Sequence, residues 1–253
     1  MKLNYKKLGK GQPLLILHGL FGMLDNWISL GKRYAEQYEV YLIDQRNHGK
    51  SPHSNEFKFA DMADDLMEFI EDHHIRGALA IGHSLGGKTL IEFTHDHACF
   101  IDKMVIADIG PKAYKPHHDH IIAAMEGLDI KNFNSRAEAE DALQNQIQSL
   151  PIRQFLLKNL YWKNKEELGW KINLKAIKQN LNEVLVDMSD YHINLPTLFL
   201  KGGDSDYILS EDEPKIKAHF PNSKIITIPG TGHWLHAEKP DEFYRITKKF
   251  FNN

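Results

Sequence analysis

Residues 77–94 read GALAIGHSLGGKTLIEFT. Positions 78–81 are small or apolar, the run stops at Gly82, and apolar residues return at helical spacing after Gly87. A short apolar run bounded by glycine reads as a buried strand, and the pattern beyond it as a helix. Between them, Gly82-His83-Ser84-Leu85-Gly86 fits G-x-S-x-G, which in a strand-to-helix setting is a nucleophile elbow. The turn is tight enough to strain the serine backbone, and the flanking glycines remove side chains that would collide. The Ser84 hydroxyl then projects above the sheet, with the backbone donors of a helix N-terminus behind it. The five-residue pattern alone occurs by chance; the predicted strand before it and helix after it give it weight.

The same kind of apolar run recurs along the chain. PLLILHG (13–19), EVYLID (39–44), KMVIADI (103–109), PTLFLKG (196–202) and KIITIPG (224–230) are nearly continuous rather than alternating. That pattern belongs to parallel strands covered on both faces. MADDLMEFIEDH (62–73) carries apolar residues three and four apart and predicts a crossover helix. Strands alternating with helices make the fold class α/β. The alternation breaks between about 111 and 190, a stretch without strand signal and far too long for a plain loop. Helical spacing recurs there at Leu143, Ile147 and Leu150, at Ile152, Phe155, Leu156 and Leu160, and at Ile177, Leu181, Val184, Leu185 and Met188. We read 1–110 and 191–253 as the core and 111–190 as an inserted helical cap over the strand C-termini, where α/β sheets place their ligands.

A serine hydroxyl needs a base to take its proton. In this fold the order along the chain is serine, acid, histidine. IPGTGHWLHAEKP places His233 in a glycine-rich loop after the last strand, and His233 is the expected base, with His236 as a surface or packing residue. Two carboxylates compete for the third place. Asp108 ends an apolar strand, where an unpartnered charge would be costly; Asp206 follows the next strand, the commoner site, with Asp204 in the turn before it. The oxyanion hole requires two N–H groups. Leu85 supplies one, and the loop after the first strand supplies the other from Leu20 in preference to Phe21. His18 orients that loop.

Composition sets outer bounds. The chain has 253 residues, 42% hydrophobic and 26% charged, with a net charge of −3, which argues against a nucleic-acid partner. No apolar stretch is long enough for membrane insertion, the N-terminus lacks a signal-peptide pattern, and one cysteine, Cys99, fits a reducing compartment. The expectation is a soluble, cytoplasmic protein. Nothing in the pattern specifies an oligomer.

HGLFGMLDNW, DQRNHGKSPHS, GHSLGGKT, ADIGP and GTGHWLHAEKP, in this order and spacing, resemble the YbfF-type esterases of the α/β-hydrolase superfamily. The related mitochondrial α/β-hydrolase-domain proteins look similar through the insertion as well, at RQFLLKNL and WKINLKAI. The resemblance spans essentially the whole chain, and Lys88 and RNHG (46–49) are its most specific features. It implies an α/β-hydrolase fold and hydrolysis of short- to medium-chain acyl esters or thioesters, small-molecule substrates, with no metal or organic cofactor. It also implies Asp108 as triad acid, although this chain has an acidic residue at 206 where the family usually does not; Asp108 is preferred and Asp206 kept as the alternative.

Rival readings are weaker. A lyase resembling SHCHC synthase uses the same triad but wants basic groups for a multiply anionic substrate, for which Lys112, Lys115 and Arg153 are candidates. A receptor on a hydrolase fold would not need an intact serine, histidine and acid. The histidines at 117–120 are too closely adjacent to share one metal ion, and Cys99 has no histidine–carboxylate context. Trp162 and Trp170 fit packing as well as a pocket wall.

Overall fold

The computed structural model describes residues 1–253 apart from His117, Asn134, Glu166 and Ser189. In chain order the core opens with β1 (Tyr5–Leu8), β2 (Gln12–Leu17), α1 (Ile28–Tyr34), β3 (Tyr38–Ile43) and α2 (Phe59–Asp72). It continues with β4 (Ala78–His83), α3 (Leu85–His97) and β5 (Ile101–Ala107). The insertion holds α4 (Asp119–Glu126), α5 (Arg136–Gln144), α6 (Leu150–Leu157), β6 (Leu160–Trp162), β7 (Leu168–Trp170) and α7 (Leu174–Gln179). The core then resumes with β8 (Thr197–Gly202), α8 (Glu213–His219), β9 (Ser223–Ile228), α9 (Leu235–Glu238) and α10 (Pro240–Asn252).

Seven strands form one sheet in the order β1-β3-β2-β4-β5-β8-β9. All pairings are parallel except β1 with β3. The near-continuous apolar runs are explained by burial on both faces. Leu15, Leu17, Ala80, Met104, Ile106 and Phe199 pack on one side of the sheet with α2 and α3. Leu14, Ile16, Leu79, Ile81, Val105, Leu198 and Leu200 pack on the other with α1 and α10. Full burial of each of the larger side chains contributes roughly 1.5–3 kcal/mol, so the parallel strands carry much of the core's stabilisation.

Two elements were not expected from the sequence. β1, YKKL, lies on the sheet edge with three of its four residues exposed, so it has no apolar signature; edge lysines discourage pairing with other chains. The β6–β7 hairpin interrupts the stretch read as helical throughout, and at three residues per strand it is too short to show a period of two. The spacing over 177–188 also does not make one helix. α7 stops at Gln179 and a 3₁₀ turn, Leu181–Val184, follows. No helix among the described residues is long and apolar enough to cross a membrane.

Candidate active site

β4 delivers Ser84 to the C-terminal edge of the sheet, and α3 departs immediately. The serine has φ 50° and ψ −114°, a conformation unfavourable for any residue with a Cβ. Neighbouring glycines make it possible. A Cβ on Gly82 would lie 2.4 Å from the Gly86 carbonyl oxygen, and one on Gly86 would lie 2.5 Å from that of Leu17. The turn is pinned by Ser84 N–H donating to Ala107 O at 3.0 Å and Gly86 N–H donating to His18 O at 3.1 Å.

Asp108, one residue beyond β5, is also in the left-handed region, with φ 50°. Its side chain is fully buried. Oδ1 accepts the Gly202 N–H at 2.9 Å, and Oδ2 accepts both the Ser205 hydroxyl and His233 Nδ1–H, the latter at 2.9 Å. Burial pushes the carboxyl up to about 6, while the bonds from Ser205 and Gly202 pull it down. Asp206, the competing carboxylate, is exposed; the oxygen that receives the imidazole proton belongs to Asp108.

His233 lies on the loop between β9 and α9. Its ring stacks on Tyr207 with centroids 3.7 Å apart and planes 16° apart. Its backbone carbonyl accepts His83 Nε2–H at 2.8 Å, which ties the loop to the elbow. His236 is a packing residue, buried and stacked on Trp27 at 4.2 Å.

The loop after β2 is held by neutral histidines. His18 Nδ1–H donates to Gly19 O at 2.9 Å and Nε2 accepts from Gln45 N–H at 3.0 Å, which fixes one tautomer. His48 Nδ1–H donates to Arg46 O at 2.9 Å, and Nε2 accepts the Phe21 N–H at 3.3 Å. Burial lowers His18 to about 4, and His48 and His83 to about 3. The Phe21 N–H is therefore engaged, unlike those of Leu20 and Leu85. Neither N–H has a hydrogen-bond partner among the described residues. RNHG thus has a structural reason. Arg46 forms a two-bond pair with the buried Asp65 at 2.6 and 3.0 Å, His48 braces Phe21, and Asn47 Oδ1 receives Asn173 of the insertion at 3.0 Å.

A cavity over Ser84 is lined by Leu20, Leu85 and Ile109 of the core and by Tyr114, Val184 and Leu185 of the insertion. It leaves about 30 Å³ of free space, room for little more than a water molecule or two. A larger groove, about 520 Å³, runs between α6 and α9 past Phe155 and Trp234 and does not touch Ser84.

Other sequence candidates lie elsewhere. Lys112 pairs with Asp212, and Arg153 donates to the carbonyls of Ile147 and Gln148 at 2.9 Å, both inside the insertion. Trp162 is exposed and Trp170 packs against the core; neither lines the Ser84 cavity. Cys99 is exposed beyond α3. Of the histidines at 117–120, His117 lies outside the described residues and His118 lines the cavity. Among the described residues no group of three or more His, Cys, Asp or Glu side chains could hold a metal ion. Sequence reasoning missed His83 and Ser205. His83 stood inside the elbow motif, so its position was visible although its bond was not.

Comparison with known proteins agrees with this architecture. A sequence model of the α/β-hydrolase fold matches residues 12–240. The sn-1-specific diacylglycerol lipase ABHD11 of Danio rerio is 39% identical over 246 residues, covering 93% of this chain and 77% of the relative. Esterase YbfF of Escherichia coli is 31% identical over 259 residues, covering all of both chains. A solved marine microorganism esterase superposes with a TM-score of 0.96 at 43% identity, covering 98% of this chain and 99% of its own. With a parallel sheet, a strained serine between β4 and α3 and these relatives, the chain belongs to the α/β-hydrolase family.

Proposed function

We propose that this protein is a serine carboxylic-ester hydrolase acting through Ser84, His233 and Asp108. The observation that carries the reading is the 2.9 Å bond from His233 Nδ1–H to a fully buried Asp108, on the same sheet edge as the strained Ser84. That bond leaves Nε2 of the imidazole as the proton acceptor. Ser84 Oγ attacks the ester carbonyl as His233 takes its proton, and the Leu20 and Leu85 N–H groups hold the oxyanion. His233 returns the proton to the departing alcohol. A water then gives a proton to His233 as it attacks the acyl-enzyme carbonyl, and His233 passes that proton to Ser84 Oγ as the acyl–Oγ bond breaks, releasing the acid and restoring Ser84. Asp108 holds the imidazole tautomer and stabilises the imidazolium. The sequence of steps calls for no cofactor.

The small cavity over Ser84 supports short acyl groups. The lyase alternative finds less support, since Lys112 and Arg153 are engaged elsewhere. The test is a p-nitrophenyl ester series from acetate to long acyl chains, on wild type and Ser84→Ala. Activity should peak at short chains, and the variant should lose about a million-fold in turnover with its fold intact. A folded wild type that hydrolyses none of the series would sink the esterase reading.

A further inference from the structure

Lys88 is fully buried four residues into α3, and its side chain lines the Ser84 cavity. An ammonium is doubly disfavoured there. It is out of water, and it sits in the first turn of a helix, whose dipole favours negative charge. Burial lowers its pKa to about 8, with Asp187 acting to raise it. Its compensation comes from backbone. Nζ donates to the Lys112 carbonyl at 2.8 Å and to the Val186 carbonyl. The rings of Tyr114 and Phe59 lie 5.1 and 5.7 Å away.

Those two carbonyls are the way into and the way out of the insertion. The two passing segments are joined to each other by Tyr114 N–H to Leu185 O at 2.9 Å and Met188 N–H to Pro111 O at 2.7 Å. Lys88 binds the pair from below. The next residues along each segment, Tyr114 on one side and Leu185 and Val184 on the other, form the insertion's share of the cavity wall. Any widening of the neck therefore moves that wall away from Ser84.

We propose that Lys88 is a positioning and specificity-determining residue: by fastening both ends of the insertion to the elbow helix, it sets the size of the acyl cavity over Ser84. The proposal rests on the reading of Ser84 as nucleophile. An uncharged thioether of similar length removes both donated bonds and leaves the Lys112 and Val186 carbonyls without a donor, so the neck loosens and the cavity widens.

The experiment is the p-nitrophenyl ester series on wild type, Lys88→Met and Lys88→Arg, with a fluorophosphonate as an independent probe of Ser84. In Lys88→Met, KM for the acetate ester should rise about tenfold with kcat within about threefold, the split expected when ground-state fit is lost and the chemistry is kept. The preferred acyl chain should lengthen, and fluorophosphonate labelling should persist. Amides at 112–114 and 184–186 should exchange faster. In Lys88→Arg, the wider guanidinium cannot seat between the same carbonyls, so a shift of the same sign but smaller size is expected; this variant carries the test should Lys88→Met fail to fold. Wild-type KM and chain preference in a folded variant overturn the role of Lys88 alone. A wild type inert to both esters and fluorophosphonate overturns this role and the esterase reading together.

Discussion

The end of β5 and the loop after β8 both carry an aspartate near the His233 loop, and they are built in opposite ways. Asp108 is fully buried on a strained backbone, with every oxygen occupied by a donor from elsewhere in the chain. Asp206, three residues beyond the glycines that close β8, faces solvent. A buried carboxylate is tolerated where its bonds offset much of its desolvation, whereas an exposed one costs little and is screened. The difference teaches that a candidate triad acid is marked by the donors gathered around it rather than by its place after one strand or another. Even so, the two regions cooperate: the β8 loop supplies Gly202 and Ser205 to the carboxylate of β5.

The largest effect that could break this contrast belongs to Asp108→Asn. An amide at 108 presents N–H₂ toward Nδ1 and selects the wrong imidazole tautomer, so turnover should fall about 10,000-fold. Stability should move the other way. Asp108 is held near 6 in the fold against an ordinary 3.8, so the folded state binds its proton more tightly than the unfolded state. Its contribution to stability is greatest below about 3.8 and is lost as pH climbs through about 6. At neutral pH the asparagine variant should therefore be more stable, by roughly 1–3 kcal/mol. Urea unfolding at pH 5 and pH 8 measures this, with the gain already partly present at pH 5, between the two pKa values, and larger at pH 8. A variant that keeps its activity would remove Asp108 from the proposed triad.

Much of this region was legible in the residues themselves. The elbow could be read because an apolar run, three glycines and a helical pattern agree over eighteen residues. The residues put His233 forward through its glycine-rich loop, but left Asp108 and Asp206 both open as its partner, and only the family resemblance favoured Asp108. What stayed hidden depends on register between distant segments. Ser205 reaches Asp108 across 97 positions, His83 reaches the His233 carbonyl across 150, and Lys88 reaches Val186 across 98. Each is an ordinary polar residue until the sheet order brings its partner near. β1 and the β6–β7 hairpin were missed for a different reason: exposed edges and three-residue strands leave no periodicity to read.

Ser205→Ala sharpens the comparison at intermediate size. The hydroxyl donates to the oxygen that also holds His233 and favours the ionised carboxylate. A bond to a charged group is worth about 1.5–3 kcal/mol, and partial loss of it in the transition state corresponds to about tenfold in kcat/KM. Without it the Asp108 pKa rises further, so the acid limb of the pH–rate profile should move to higher pH. A purely structural serine would lower the melting temperature and leave that limb in place.

The smallest effect is expected from Asp206→Asn. Its negative charge raises the pKa of Asp108, so neutralising it should move the acid limb slightly to lower pH, opposite in sign to Ser205→Ala. The exposed charge is screened, so the shift should shrink between low salt and about 1 M salt. At pH 8, where Asp108 is ionised in either case, kcat/KM should stay within about twofold, a change of less than about 0.5 kcal/mol in the barrier. The two substitutions thus test one carboxylate from two sides, one removing a donor that favours its charge and the other a charge that opposes it. A hundredfold loss in Asp206→Asn would reverse the ranking and make the exposed aspartate the partner of His233, reached through a rearranged β8 loop.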